Sequence, residues 1–128
     1  MDTTPEYIKQ CKGAFTCIGF IDAGELTNLF FDDDSYWHGF SPDGRNDKPL
    51  GQLYRQDQLQ EIWRREYLKR PSKYGWFGEF CNFIGDVYSD YDLMNADEVF
   101  ESMEQLWLAF VMKELYGKVW NGEEWVRA

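Results

Sequence analysis

The fold is decided by seven consecutive apolar residues, Leu-Trp-Leu-Ala-Phe-Val-Met, at positions 106–112. Apolar residues recur upstream of this run at helical spacing, and Gly117 stands where a helix commonly ends. The pattern predicts a long helix over 96–116, with Asn95 as its N-cap. Because the run is apolar nearly all round, we expect this helix to lie at the centre of the core.

Two more helices are predicted on the N-terminal side of the central one. The segment 52–70 carries Leu59, Trp63 and Tyr67 on one face, and Pro71 follows its end. The segment 76–88 also reads as a helix, although two glycines weaken it. On the first of these helices, two acid–base pairs at i,i+4 spacing are expected to form, Glu61–Arg65 and Glu66–Arg70.

The remaining segments complete a mainly α (α+β) fold of four to five helices with a small β element. Thr4 and Pro5 begin a helix over 5–12 that we expect to stop at Gly13. The apolar run 14–21 is either a buried strand or a short core helix, and its periodicity does not decide between them. The other expected elements are a short helix over 22–31, an irregular stretch over 32–51, and a C-terminal β-hairpin over 118–126 turning at Asn121-Gly122.

Length and composition predict one globular domain over 1–128. The 128 residues are 44% apolar and 19% aromatic, which is enough to form a packed core. No apolar stretch is long enough to span a bilayer, and the first residues do not resemble a secretory signal. We therefore expect a cytoplasmic protein without a membrane association, in the host cytoplasm if the chain is phage-encoded.

The charge of the chain is strongly negative and unevenly distributed. There are 23 acidic and 13 basic residues, a formal net charge of −10, so direct binding to nucleic acid is not expected. Residues 74–112 contain eight acids and no Lys or Arg, whereas 55–73 contain six basic residues. This segregation favours a partner protein with a basic surface.

The predicted partner-binding residues follow from this segregation and from the hairpin. Asp97, Glu101 and Glu104 would form one stripe if 96–116 were a continuous helix. Trp120 and Trp125 flank the predicted turn, where one of them could serve as an interface anchor. The full predicted set is Asp86, Asp90, Asp92, Asp97, Glu98, Glu101, Glu104, Trp120 and Trp125.

No motif indicates catalysis or a cofactor. The chain contains neither a phosphate-binding glycine loop nor four Cys/His ligands at zinc spacing. Cys11, Cys17 and Cys81 lie in apolar sequence and are expected to be buried and inert. We therefore predict no catalytic residues, no bound metal and no cofactor. The alternative metal site is centred on His38, close in sequence to Asp32, Asp33 and Asp34.

These observations favour a non-enzymatic acidic inhibitor that blocks a basic nucleic-acid-handling protein. A phage counter-defence protein, directed against CRISPR or restriction enzymes, and a toxin immunity protein both fit this description by general composition. Two alternatives stay open: a small metal-dependent enzyme or metal-binding protein centred on His38, and a structural or accessory subunit that self-associates as a homodimer.

Overall fold

A computed structural model describes residues 2–21, 28–31, 36–39, 51–89 and 102–128, and within them lie four helices and five strands. The chain is mainly helical with small β elements, as the sequence predicts. In chain order the elements are α1 (Pro5–Ile18), β1 (Asn28–Phe31), β2 (Tyr36–Gly39), β3 (Gly51–Leu53), α2 (Gln56–Lys69), α3 (Gly75–Ser89), α4 (Met103–Tyr116), β4 (Lys118–Trp120) and β5 (Trp125–Arg127).

Helix α4 is the central helix, as its apolar sequence predicts. All residues from 105 to 112 are buried. The ring of Phe80 on α3 stacks on Trp107 at a centroid distance of 3.7 Å, and Trp63 on α2 meets Phe110 edge-on at 4.8 Å. Helices α2 and α3 therefore pack on α4 through aromatic rings.

The start of α4 differs from the sequence prediction. Ser102 has an extended backbone and caps the helix, accepting a hydrogen bond from the Gln105 N–H, so α4 begins at Met103 rather than at Ala96. The Ser102 hydroxyl thereby satisfies an otherwise unpaired N–H of the first turn. Residues 90–101, which include the predicted cap Asn95, lie outside the described residues. Gly117 ends the helix in the left-handed conformation, as predicted.

Helix α1 is longer than the sequence suggests, and the prediction of a stop at Gly13 is wrong. The sequence left the run 14–21 undecided between a buried strand and a short core helix. In the structure, residues 14–18 continue α1 to Ile18. The helix ends instead at Gly19, whose φ is 72° and whose N–H bonds to the Phe15 carbonyl at 3.0 Å. Thr4 caps the other end, as predicted.

The β content near the middle of the chain was not predicted. Strand β1 pairs antiparallel with β2 on one side and β3 on the other, giving the order β2-β1-β3. The predicted helix over 22–31 is therefore wrong for Asn28–Phe31, and the stretch 32–51 is not irregular at Tyr36–Gly39. Short apolar segments of this kind acquire their conformation from strand partners rather than from their own periodicity. The residues 22–27, 32–35 and 40–50 lie outside the described part of the chain.

Helix α2 begins four residues later than predicted because β3 occupies Gly51–Leu53. The helix starts at Gln56, and the Gln58 side chain accepts a hydrogen bond from the Arg55 N–H at 2.9 Å. Gln52 is fully buried, and its amide makes two hydrogen bonds to the Ile21 backbone, at 3.0 and 2.9 Å. This amide joins the end of the α1 segment to the sheet.

The C-terminal hairpin and α3 form as predicted. Strands β4 and β5 pair antiparallel with Trp120 opposite Trp125, and Gly122 in the turn has a φ of 101°. Helix α3 spans Gly75–Ser89, one residue beyond the prediction at each end. None of the helices in the described ranges is long and apolar enough to cross a membrane.

Candidate protein-binding surface

Helix α3 presents a core side and an outer side. Trp76, Phe80 and Phe83 face α4, and the carbonyl of Trp76 accepts a hydrogen bond from the Trp63 indole at 2.7 Å. Glu79 and Asp86 lie two turns apart on one edge of the outer side, since residues seven positions apart share a helix face. The aromatic contacts with α4 thus fix which way the acids of α3 project.

A third carboxylate, Glu114 on α4, lies close enough to sense both acids of α3. The pKa of Glu114 is raised above its usual range, first because the group is partly desolvated and further because Glu79 and Asp86 repel its negative charge. Lys113 acts in the opposite direction, and its ammonium lies 5.7 Å from the Phe83 ring centroid. Glu79, Asp86 and Glu114 are called the α3–α4 acidic surface below.

The cations of α2 form ion pairs within their own helix. Glu61 pairs with Arg64 and with Arg65, each at 3.1 Å, and the second of these is the predicted i,i+4 pair. The hydrogen bond from Arg64 is the largest cause that lowers the pKa of Glu61, and the hydrogen bond from Arg65 and the charges of both arginines lower it further. Arg64, Arg65 and Lys69 are thus paired with acids of α2, whereas Glu79 accepts a hydrogen bond from the Ser72 hydroxyl.

The predicted Glu66–Arg70 pair does not form among the described ion pairs. Glu66 instead contacts Lys69 at 2.8 Å. Arg70 is the C-cap of α2 with a non-helical backbone, so its side chain is no longer one helical turn from Glu66.

Of the predicted acidic partner-binding residues, the structure describes Asp86 and Glu104, and it places them apart. Asp86 belongs to the α3–α4 acidic surface. Glu104 lies in the first turn of α4, where its carboxylate accepts a hydrogen bond from the Asp2 N–H at 3.2 Å. Glu104 and Glu114 are separated by about 15 Å of helix rise. Of the predicted stripe Asp97, Glu101 and Glu104, the structure describes only Glu104, so the stripe stays a prediction. Asp90, Asp92, Asp97, Glu98 and Glu101 lie outside the described residues.

The two predicted tryptophans of the hairpin make contacts within the chain. Their rings are neighbours across the strands, with centroids 5.2 Å apart. The Trp120 indole donates to the Glu6 carboxylate at 2.8 Å, and the Trp125 indole donates to the Gln10 carbonyl at 2.9 Å. Both side chains are half-buried, and both tie the hairpin to α1. Only the part of each ring that stays exposed is available to contact a partner.

Two aromatic side chains outside the predicted partner-binding set lie exposed at the start of α3. Tyr74 is 54% exposed and Phe77 is 51% exposed. Helical spacing could have indicated that Phe77 is exposed, because this residue lies about 100° around the helix from the core residue Trp76. Glu114 was also missed, since it follows Lys113 and so falls just outside the sequence stretch without basic residues.

The cysteines differ in their exposure, contrary to the prediction that all three are buried. Cys11 is buried, Cys17 is half-buried and Cys81 is exposed. Burial raises the pKa of the Cys11 thiol to about 12. Cys81 is exposed because it lies on the outer side of α3, and the Cys17 sulfur accepts a hydrogen bond from Lys118 at 3.5 Å.

The side chains of the alternative metal site lie outside those that the structure describes. His38 lies in β2 opposite Leu29 of β1, and Asp32, Asp33 and Asp34 lie outside the described residues. Within the part of the chain that the structure describes, no group of three His, Cys, Asp or Glu side chains could hold a metal ion.

A groove of about 400 Å³ runs between α2 and α4 next to the acidic surface. Glu114 and Glu66 line it together with the cations Lys69 and Arg70, over a floor that includes Trp63. The groove therefore contains both signs of charge, in contrast to the outer side of α3.

Comparisons with protein-family models, with characterised proteins and with solved structures give no match for this chain.

Proposed function

We propose that the protein is a non-enzymatic inhibitor that binds the basic surface of a nucleic-acid-handling protein. The targets that fit are CRISPR or restriction enzymes, which would make the chain a phage counter-defence protein, and nuclease toxins, which would make it an immunity protein. In each case carboxylates of the inhibitor would occupy the cleft that otherwise holds phosphates.

The observation that carries this proposal is the grouping of Glu79, Asp86 and Glu114. Partial desolvation raises the pKa of Glu114 on α4, Lys113 lowers it, and Glu79 and Asp86 of α3 raise it further. The repulsion among the three carboxylates costs free energy in the free protein, and a cationic partner would relieve it on binding. The local ion pairs of Arg64, Arg65 and Lys69 support the same conclusion, because these cations are held on α2.

The experiment measures cleavage of labelled DNA by a panel of purified enzymes in the presence of increasing amounts of the protein. The panel contains a guide-loaded CRISPR nuclease, a restriction endonuclease and a nuclease toxin. We expect inhibition of at least one enzyme, competition with added DNA, and weaker inhibition as the salt concentration rises, because salt screens exposed charges.

A matched pair of charge reversals then identifies the surface. Asp86→Lys and Glu124→Lys change the net charge equally, but Glu124 lies exposed in the hairpin turn. We expect Asp86→Lys to slow association with the inhibited enzyme by about tenfold, within the range of electrostatic steering, and Glu124→Lys to change it by less than about twofold. Inhibition that ignores salt, equal association rates for both variants, or no inhibition of any enzyme in the panel would contradict the proposal.

A further inference from the structure

We infer that Cys17 and Lys118 form an oxidative modification site, at which hydrogen peroxide joins the two side chains through a covalent sulfur–nitrogen bond. The site links the end of α1 to the start of β4. The inference is independent of the proposed inhibitor function, since it uses neither the acidic surface nor a partner protein. It stands on the distance between the two groups, on the other contacts of Lys118, and on the contrasting positions of the other two cysteines.

The fold brings a thiol and an amine together from opposite ends of the chain. Cys17 lies in the last turn of α1, Lys118 is the first residue of β4, and both are half-buried. The Lys118 Nζ lies 3.5 Å from the Cys17 Sγ and donates a hydrogen bond to it. The flexible four-carbon stem of lysine allows the closer approach that a covalent bond between these atoms requires.

Lys118 has an unusual contact for a cation of such an acidic chain. The net charge is −10, and the described ion pairs on α1 and α2 join cations to nearby carboxylates. Among the residues that the structure describes, no carboxylate pairs with Lys118, and its ammonium contacts the sulfur of Cys17. The amine therefore stays beside the sulfur, where it is placed to react once that sulfur is oxidised.

The other two cysteines each lack one of the conditions that Cys17 meets. Cys11 is fully buried, and burial raises the pKa of its thiol to about 12, so this thiol is both shielded from peroxide and neutral near pH 7. Cys81 is exposed on α3, but it lies in the sequence stretch 74–112, which contains no Lys or Arg. Of the three, Cys17 is the one for which the structure describes both access to solvent and contact with an amine.

The reaction consumes one molecule of hydrogen peroxide. Peroxide oxidises the Cys17 thiol to a sulfenic acid and is itself reduced to water. The Lys118 ammonium releases a proton to solvent, and the neutral amine attacks the oxidised sulfur. An S–N bond forms, the S–O bond breaks, and the hydroxyl leaves as a second water with a proton from the nitrogen. The product is a sulfenamide, the same class of product that a sulfenic acid forms with a backbone nitrogen.

The cross-link restricts the chain across 101 sequence positions. Like a disulfide, it reduces the conformational freedom of the unfolded chain more than that of the folded one. Oxidised protein should therefore resist urea better than reduced protein. Excess dithiothreitol reverses the reaction, since two of its thiols become a disulfide while the Cys17 thiol and the Lys118 amine are restored.

The test treats the folded full chain with hydrogen peroxide, blocks the remaining thiols with N-ethylmaleimide, and digests the protein with trypsin without a reductant. Mass spectrometry then follows the tryptic peptides 13–45, which contains Cys17, and 114–127, which contains Lys118. We expect these two peptides to be joined, with two hydrogens fewer than their sum, and to separate after dithiothreitol. The midpoint of urea denaturation should rise with peroxide and return with dithiothreitol.

The variants separate the amine from its charge. Lys118→Arg keeps the positive charge beside Cys17 but removes the reactive amine, so we expect loss of the joined peptides and of the peroxide-dependent rise in the urea midpoint. Lys12→Arg, which changes an exposed lysine of α1, and Cys81→Ser are the controls, and both should form the cross-link as the natural chain does. Circular dichroism checks that each variant is folded.

Two results overturn the inference. The first is a natural chain in which peroxide leaves Cys17 as a free thiol or carries it to the sulfinic acid without joining the two peptides. The second is an undiminished cross-link from Cys17 in folded Lys118→Arg, which would assign the bond to another group. The first measurement needs no variant, so the inference stays testable even if a substitution prevents folding.

Discussion

The indole ring of Trp125 packs so closely on Gly13 that a Cβ at this glycine would lie 2.9 Å from Cδ1 of the ring. Gly13 lies inside α1, where glycine is an unfavourable residue, yet the hairpin needs this approach to bring the Trp125 N–H to the Gln10 carbonyl. Glycine here therefore serves the contact between two elements rather than the end of a helix.

Replacement of Gly13 by Ala should therefore destabilise the protein, although alanine is the better helix former. The gain in helix propensity is about 0.5–1 kcal/mol, whereas inserting a methyl group into a tight contact costs about 1–3 kcal/mol. We expect a net loss of about 1 kcal/mol in the free energy of unfolding, measured by urea denaturation. A more stable Gly13→Ala variant would mean that the hairpin yields easily to the added methyl group.

Gly85→Ala is the matched substitution in an open position. Gly85 also lies inside a helix, is exposed, and a Cβ there would meet no atom within 4 Å. Only the helix propensity changes, so we expect an increase of about 0.5–1 kcal/mol in the free energy of unfolding by the same measurement. A decrease would show that something lies against α3 at this glycine.

The buried amide of Gln52 should be worth more than an exposed hydrogen bond. In Gln52→Leu the Ile21 N–H loses its partner, and an unsatisfied buried polar group costs about 1–3 kcal/mol. We expect a loss of about 2 kcal/mol in urea denaturation. Thr16→Val is the control, because it removes only exposed hydrogen bonds, to the Gly13 carbonyl and the Cys17 sulfur, and should change stability by less than about 0.5 kcal/mol. Equal losses in the two variants would contradict this account of the Gln52 amide.

Burial of Cys11 should make the protein sensitive to alkali. The thiol has a pKa of about 12 in the folded protein and an ordinary value near 9 when unfolded. Below pH 9 the thiol is neutral in both states, so it adds no pH dependence. As the pH rises from 9 towards 12 only the unfolded chain releases this proton, and stability falls with a limiting slope of about 1.4 kcal/mol per pH unit.

The slope is measured by urea denaturation between pH 7 and pH 9.5, because Tyr7 and Tyr54, whose pKa values are also raised by burial, add the same effect as the pH approaches their ordinary value of 10. Cys11→Ala should flatten it, whatever the cost of the substitution to stability at pH 7. Cys81→Ala, in which an exposed thiol is removed, is the control. A slope that persists in Cys11→Ala would assign the alkaline sensitivity to other groups.

The closeness of the acids on α3 and α4 can be measured directly on Glu114. Because Glu79 and Asp86 contribute to its raised pKa, Glu79→Gln and Asp86→Asn should each lower the pKa of Glu114, as followed by NMR titration of its side chain. Glu124→Gln, on the hairpin, should leave the titration of Glu114 unaltered. If none of the three changes altered the pKa of Glu114, the acids of α3 would not act on this carboxylate of α4. The main support for the proposed function would then be lost.

Local signals in the sequence were sufficient for some elements. The Asn121-Gly122 pair predicts the hairpin, and the helical spacing of Trp76, Phe80 and Phe83 predicts α3, because the residues that specify these elements are close in sequence. The apolar run of α4 likewise predicts its central position. In the candidate site, the lack of basic residues after Lys73 drew attention to Asp86, while the contribution of Glu114 needed the packing of α3 on α4.

The sequence by itself determined a mainly helical, acidic chain with a central apolar helix and a C-terminal hairpin, since composition and short-range periodicity carry that information. Only the tertiary structure decided that Gly13 contacts Trp125 and does not end α1, that Asn28–Phe31 is a strand, and that Glu104 lies apart from Asp86. Each of these depends on a partner distant in the sequence, and the free energy of such a contact exceeds the small conformational preferences of the residues themselves.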